Sequence, residues 1–137
     1  MCKAILSTHQ QRKKAKGICI NNFCMNVKKA DQNICNTCAA KLYKSRHPYE
    51  YSYQKLRANA RRRGKDFSLT FEQFKEFAIK TFYMDKVGRH YNGLHIDRID
   101  ETRGYHADNI QPMINSDNVK KYHSIIKSRK ALEDAPF

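Results

Sequence analysis

The middle of the chain carries apolar residues at the spacing of an α-helix. Two helices are predicted there, separated by a break at Gly64, where glycine suits a left-handed cap. The second helix is predicted to begin after Thr70, because Gln73 completes a capping box with that residue. Each helix has one apolar side that is predicted to be buried, formed by Tyr49, Tyr53, Leu56 and Ala60 in the first and by Phe71, Phe74, Phe77, Ala78 and Phe82 in the second.

A different pattern follows these helices. The letters LHIDRI alternate apolar and polar residues as a half-buried strand does, and turn-forming residues surround Gly104. A second strand is predicted over NIQPMI, with Pro112 at an edge or a bulge. Ser116 is then predicted to cap a helix, whose apolar residues at helical spacing are Val119, Tyr122 and Ile126.

The order strand, turn, strand, helix has a chemical consequence. It brings Asp97, at the end of the first strand, near Asn118, in the first turn of the helix. Carboxylate and amide oxygens suit a hard divalent ion that keeps open positions for water and a phosphate oxygen. The alternative interpretation is that these polar residues only build turns and caps, which Asn, Asp and Gly favour anyway.

This segment resembles the HNH endonucleases, especially small phage-borne members. The resemblance rests on I-D-R-I-D, then G-Y, D-N-I and N-x-x-K, in that order. It implies a ββα-metal element that hydrolyses DNA phosphodiester bonds with Mg²⁺ or Mn²⁺. By position it implies Asp97 and Asn118 as the metal ligands, Asn109 as the asparagine that braces the loop, and Lys121 as the end of N-x-x-K.

One position departs from the family pattern. Arg98 stands where the family usually has the histidine that activates water, and we expect this arginine to contact the phosphate instead. His95 precedes Asp97 by two residues and therefore shares its strand face, which makes it the preferred general base. His106 in the turn and His123 on the helix are the alternatives.

A second motif lies near the beginning of the chain, where four cysteines have the spacing C-x4-C-x10-C-x2-C. Four thiolates in this arrangement suit a structural zinc ion, and the letters NTCAAKLYKSR predict a helix that opens at the second pair. The segment resembles a treble-clef finger, as found before the HNH element in phage proteins. Two disulfides are the alternative, which an intracellular setting disfavours, and Cys2 is expected to be a free thiol. The predicted ligands are Cys19, Cys24, Cys35 and Cys38.

The charge distribution favours a nucleic-acid partner. The formal net charge is +14, and Asp31 is the only acidic residue before Glu50. Clustered basic residues indicate contact with phosphates, with DNA as the expected partner and RNA as an alternative, whereas a merely solvated face would intersperse acids. The predicted contacts are Arg12, Lys13, Lys14, Lys16, Lys28, Lys29, Arg57, Arg61, Arg62, Arg63, Lys65 and Lys121.

The sequence thus predicts an α+β protein with a zinc finger, a helical pair and a ββα element. The expected segments are 1–48 for the basic N-terminus and finger, 49–83 for the helical connector, 84–130 for the ββα domain and 131–137 for a tail. We expect a cytoplasmic protein without signal peptide, membrane span or small-molecule cofactor. The predicted function is DNA cleavage by nicking or cutting. The rivals are a catalytically degenerate binding protein, serving packaging, transcription control or host interference, and a virion component.

Overall fold

The computed structural model describes residues 5–88 and 90–133, which form an α+β protein and confirm the predicted class. The chain divides into two compact units, and the boundary falls between Pro48 and Tyr49. We call residues 5–48 the finger unit and residues 49–133 the hairpin unit. The elements are α1 (Thr8–Ala15), α2 (Asn36–Arg46), α3 (Pro48–Arg62), α4 (Phe71–Lys80), α5 (Tyr83–Lys86), β1 (Leu94–Arg98), β2 (Ile110–Ile114) and α6 (Asn115–Glu133).

The finger unit is built from two helices around a short knuckle. α1 begins with a capping box in which the Ser7 hydroxyl accepts from the Gln10 amide, and Gly17 follows the helix with a φ of 68°. An isolated antiparallel bridge then joins Ile18 to Val27. α2 opens directly after Cys35, as predicted, but buries none of its residues. Cys2, which was expected to be a free thiol, lies outside the described residues.

The helices of the hairpin unit follow the predicted signals. α3 ends at Arg62, and Gly64 adopts a left-handed φ of 61°. The capping box at the start of α4 is present, because the Thr70 hydroxyl accepts from the Gln73 amide at 3.2 Å and the Gln73 side chain accepts from the Thr70 amide at 3.0 Å. These predictions are therefore confirmed.

The core of the hairpin unit is aromatic and joins the helices to the hairpin. Its buried members are Ala60, Leu69, Phe74, Ala78, Tyr105 and Ile110. The Tyr53 ring lies 5.5 Å from that of Phe71 and 5.7 Å from that of Phe74, and its hydroxyl donates to the Leu69 carbonyl at 2.9 Å. The predicted apolar sides of α3 and α4 thus face one common core.

Phe82 does not belong to this core, and its predicted burial is wrong. The residue is 64% exposed, whereas Phe74 is fully buried. In the sequence, Phe82 continues the helical spacing of the apolar residues, but α4 ends at Lys80, before Phe82 is reached. Phe82 has a left-handed φ of 52°, so the chain has already left the helix and turns its side chain away from the apolar face.

β1 and β2 form the predicted antiparallel hairpin. The register pairs Leu94 with Ile114 and Arg98 with Ile110, and Pro112 stands opposite Ile96. Both strands of a two-stranded sheet are edge strands, so a proline, which has no amide hydrogen to donate, is tolerated there. Ile96 packs against the aromatic core, and the alternating strand geometry turns its neighbours toward the opposite face.

α6 differs from its prediction in two respects. It begins at Asn115, immediately after β2, so Ser116 lies in the first turn and is not the cap. The predicted apolar residues Val119 and Tyr122 are 47% and 62% exposed. The side toward β1 is instead polar, and Lys121 reaches the strand from it.

The helical end of the hairpin unit extends into the predicted tail. α6 continues to Glu133, beyond the expected boundary at residue 130, and residues 134–137 lie outside the described part. None of the helices within residues 5–88 and 90–133 combines the length and apolarity needed to cross a membrane.

Candidate functional site

The four cysteines of the finger unit converge on one point. Their sulfur atoms all lie within 4.8 Å of one another, and the Sγ atoms of Cys24 and Cys35 are 3.6 Å apart. A disulfide needs about 2.05 Å, whereas two thiolates on one tetrahedral zinc ion are roughly 3.8 Å apart. The cluster can therefore hold a metal ion such as zinc, with Cys19 and Cys35 buried and Cys24 and Cys38 half-buried.

The local backbone explains this convergence. The Cys24 amide donates to the Asn21 carbonyl at 3.1 Å, which closes the turn of the knuckle. The Cys19 amide donates to the Asn26 carbonyl at 3.0 Å, and the Asn26 side chain lies 3.7 Å from the Cys35 sulfur. A hydrogen bond from the backbone of Cys38 lowers the pKa of the Cys35 thiol to about 6, which favours the thiolate at that position. The hydrogen bond to Asn21 would lower the pKa of Cys38 as well, but burial and the three neighbouring thiols outweigh it and raise that pKa to about 11.

Lys13 is buried beneath the same turn and is not an exposed phosphate contact. It is only 6% exposed, and its ammonium donates to the carbonyls of Asn21 and Asn22. These carbonyls come from a knuckle that turns tightly around the cysteine cluster. The lysine therefore holds the knuckle, while Arg12, Lys14, Lys16 and Lys29 are exposed and Lys28 is half-buried.

Four of the predicted basic residues in the hairpin unit line one open groove. The groove has a volume of about 1200 Å³ and runs along the end of α3 and the following turn. We call it the basic groove; its charged members are Arg57, Arg61, Arg62 and Lys65, with Asp66 as the one acidic residue of the lining. Arg63 is exposed outside the lining.

The turn beside this groove is fixed to the hairpin. The Tyr105 amide donates to the Asp66 carbonyl at 2.8 Å, and the Leu69 amide donates to the Tyr105 carbonyl at 3.2 Å. A Cβ at Gly104 would overlap the Asp66 carbonyl, so only glycine permits this approach. The basic groove and the hairpin loop are therefore parts of one rigid arrangement.

Asp97 is the buried acid of the hairpin. It is 7% exposed, and its Oδ2 accepts from Gln111 Nε2 at 2.9 Å and from Lys121 Nζ at 2.7 Å. Gln111 stands opposite Asp97 in the strand register. Lys121 also reaches the Arg98 carbonyl at 2.7 Å and Glu101 Oε1 at 3.0 Å, so it ties α6 to the hairpin.

The surroundings of Lys121 stabilise the charged form of its side chain. Partial burial alone would lower its pKa, but hydrogen bonds and charge attraction from Asp97 and Glu101 outweigh burial and raise the pKa above its ordinary value. Removing either partner of such a pair would leave a poorly solvated charge. Lys121 thus acts as an internal counterion to Asp97. The sequence had predicted only a phosphate contact for this residue.

Arg98, at the position of the expected general base, is used by the hairpin turn. Its guanidinium donates to the carbonyls of Glu101 and Arg103 at 2.9 and 2.8 Å, and to Glu101 Oε2 at 2.6 Å. It also lies over the Tyr105 ring, 5.6 Å from the centroid. With its side chain only 12% exposed, Arg98 is a positioning residue in this structure and not a phosphate contact.

Asn109 braces the same loop. Its Oδ1 accepts from the Asp100 amide at 2.8 Å, and its Nδ2 donates to the carbonyls of Asp100 and Gly104 at 3.0 and 2.9 Å. The residue is 1% exposed, so these bonds satisfy both ends of a fully buried amide. The hairpin loop consequently has one defined conformation.

The three candidate bases occupy different environments. His95 shares the strand face of Asp97, and its Nε2 is buried without a hydrogen-bond partner among the described residues. His106 is paired with Asp66 at 3.2 Å and with the Ser68 hydroxyl. His123 is exposed on α6. Only His95 of these three therefore combines proximity to Asp97 in sequence with an unsatisfied ring nitrogen.

Asn118 is half-buried on α6, three residues before Lys121, and so on the same side of the helix. Within residues 5–88 and 90–133, the four cysteines are the only group of three or more His, Cys, Asp or Glu ligands that converge. A divalent ion at the hairpin would thus rely on Asp97 and an amide. Comparisons with protein-family models, curated proteins and solved structures found no match for this chain.

Sequence reasoning missed the two partners that complete this network. Gln111 could have been found from the register, because a hairpin that pairs Leu94 with Ile114 places it opposite Asp97. Glu101, which binds both Arg98 and Lys121, carried no comparable signal. Its role depends on the fold of the loop and on the position of α6.

Proposed function

We propose that this protein is a metal-dependent endonuclease of the HNH type that hydrolyses DNA phosphodiester bonds. The observation that carries the proposal is a buried carboxylate, Asp97, on the strand face that meets the polar side of α6. Burying a carboxylate costs free energy, which the bonds of Asp97 to Gln111 and Lys121 offset, and buried, paired acids of this kind are concentrated at functional sites. The brace by Asn109 keeps the neighbouring loop in place.

The donor atoms fit a hard divalent ion in part. Asp97 and Asn118 offer oxygens, which are the ligands that such an ion prefers. Mg²⁺ or Mn²⁺, when bound, would stabilise charge on the departing oxygen. Lys121 must then exchange its bond to Asp97 Oδ2, because an ammonium and a cation repel each other at one oxygen.

Within this proposal, His95 is the general base. Its Nε2 is buried in this structure, so the attacking water must enter beside the ring before it can give up a proton there. Its ring nitrogen is the unsatisfied one, whereas those of His106 are engaged. Arg98 keeps the loop closed through the Glu101 and Arg103 carbonyls. The basic groove supplies the backbone contacts that position DNA without specifying sequence.

The test is conversion of supercoiled plasmid to nicked or linear DNA with Mg²⁺ or Mn²⁺. Wild type is expected to cut, and Asp97→Asn is expected to lose cutting together with Mn²⁺ binding measured by calorimetry. Asp117→Asn is the matched control, because it removes a carboxylate from the same unit at a side chain that is 57% exposed. Equal cutting by Asp97→Asn and wild type would refute the site.

The base assignment has its own test. His95→Gln is expected to slow cutting by roughly 100-fold, the lower range for loss of a general base. His123→Gln, at an exposed histidine, should cut at the wild-type rate. If His95→Gln retained the full rate while folded, another group would have to serve as base.

A second candidate, DNA binding without cleavage, is favoured by one specific observation. The position of the usual base is Arg98, whose guanidinium is engaged in the turn, and Lys121 already neutralises Asp97. Folded, zinc-loaded wild type that shifts plasmid in a gel but leaves it intact with either ion would support this candidate and refute the endonuclease.

A further inference from the structure

The knuckle of the finger unit exposes three apolar side chains at alternate positions. Phe23, Met25 and Val27 are 101%, 72% and 82% exposed. The residues between them face the cysteines, because Cys24 supplies a sulfur to the cluster and Asn26 approaches Cys35. Phe23 lies in the turn that the Cys24 amide closes onto the Asn21 carbonyl, and Met25 and Val27 follow at alternate positions in the stretch that leads out of this turn. We call the three outward residues the knuckle ridge.

Exposure of such a ridge has no structural advantage. Single exposed apolar residues are ordinary, but adjacent ones on one surface indicate an interaction site. The knuckle holds its shape through other groups, namely the buried Lys13 and the backbone bonds of Asn21 and Asn26. The ridge therefore remains available to a ligand.

The charge around the ridge identifies the kind of ligand. Residues 5–48 contain nine Lys and Arg residues against one acidic residue, Asp31. Lys28 and Lys29 follow Val27 directly, and they line a pocket of about 380 Å³ that also includes Val27 and Thr37. A ligand that carries several negative charges would contact the lysines, and flat apolar faces on the same ligand would contact the ridge. Nucleic acid has these properties when its bases are unpaired.

We propose that the knuckle ridge is a stacking surface for the unpaired bases of single-stranded DNA, with Lys28 and Lys29 contacting the adjoining phosphates. In a duplex the base faces are covered by their neighbours, so a protruding phenylalanine reaches them only in an unpaired strand. The choice of DNA rests on the proposed function; the stacking itself does not.

A tryptophan placed on the ridge reports stacking directly, because the chain contains no tryptophan. In the 137-residue chain loaded with zinc and without added Mg²⁺ or Mn²⁺, Phe23→Trp fluorescence is expected to be quenched by a single-stranded DNA oligonucleotide. The same sequence as a duplex should bind without quenching. Phe82→Trp is the matched control at an exposed phenylalanine of the hairpin unit, and its emission should not change.

Affinity gives the second readout. Phe23→Ala is expected to weaken single-strand binding by roughly 5- to 100-fold, the range for loss of one stacked base, and to leave duplex binding within about twofold. The salt dependence should be unchanged, since the phosphate contacts remain. Zinc content equal to wild type establishes that the finger is intact. Because the measurement uses no catalytic ion, it is independent of whether the protein cleaves DNA.

Three results would overturn the proposal. One is unchanged Phe23→Trp emission at saturating single strand, with saturation followed by anisotropy of a labelled oligonucleotide. Another is tighter binding of the same sequence as RNA through the ridge. The third is self-association in sedimentation that Phe23→Ala abolishes, because a second copy of the chain would then occupy the ridge.

Discussion

The finger unit and the hairpin unit differ in what holds them together. In the finger unit the buried residues are two cysteines and Lys13, and α2 buries none of its residues. The hairpin unit instead buries an aromatic core around Phe74, with Asn109 and Asp97 satisfied by hydrogen bonds. One unit depends on its cysteine cluster and the other on apolar burial.

This difference also separates their functional surfaces. A unit without an apolar core can leave Phe23, Met25 and Val27 in solvent, because its fold does not need them inside. The hairpin unit uses its apolar residues for the core and places polar groups, such as Asp97 and Lys121, where strand meets helix. Apolar exposure in one unit and polar burial in the other are thus the features that indicate function.

Removing a metal ion bound at the cysteine cluster is expected to have the largest effect and to unfold only the finger unit. Zinc binding to such clusters contributes on the order of 10 kcal/mol, so a chelator or Cys35→Ser is expected to unfold the finger unit. Amide hydrogen exchange should show lost protection over residues 5–48 and unchanged protection in α3 and α4. Loss of protection in both units together would show that they unfold as one and would contradict this prediction.

Truncating the core should produce the reverse pattern. Phe74→Ala is expected to lower the free energy of unfolding of the hairpin unit by about 3–5 kcal/mol, because Phe74 is fully buried. Phe82→Ala, at an exposed phenylalanine, should change it by less than about 0.5 kcal/mol. Urea unfolding gives both values. The zinc affinity of the finger unit should be the same in both variants, and a shift in either would show coupling.

The smallest effects are expected from removing the capping side chains at the starts of α4 and α1. Thr70→Ala should lower the midpoint of thermal unfolding of the hairpin unit by about 5 °C, for a cap worth about 1 kcal/mol, since α4 carries Phe74 and Ala78. Ser7→Ala should only increase hydrogen exchange in α1, whose one buried residue is Lys13. If Ser7→Ala also released zinc, the finger unit would be more cooperative than its burial indicates.

Local signals in the sequence were sufficient for most of the fold. The capping box at Thr70, the left-handed Gly64 and the alternation of β1 each depend on a few neighbouring residues, and the structure has all three. The cysteine spacing likewise indicated the cluster. Predictions failed where a period was extended beyond its element, as with Phe82, or where an apolar stripe was assumed to be the buried side, as with Val119.

The residues of the candidate site could be predicted from the sequence, but most of the contacts between their side chains could not. The sequence indicated Asp97, Asn109 and Lys121, and the loop brace by Asn109 is present as expected. It did not indicate that Lys121 pairs with Asp97 or that the Arg98 guanidinium is hydrogen-bonded within the hairpin turn. The first of these contacts joins residues 24 positions apart, and no local pattern encodes their distance.

The sequence by itself determined α2, α3, α4, the β1–β2 hairpin and α6, the cysteine cluster and the excess of positive charge, because each follows from residue type and spacing, whereas α1 and α5 were not predicted. Only the tertiary structure decided which charges are free. It buried Lys13 under the knuckle, engaged Arg98 and paired Lys121 with Asp97, while it left the knuckle ridge in solvent. The physical reason is that burial and ion pairing depend on what lies opposite a side chain, and that neighbour is supplied by the fold.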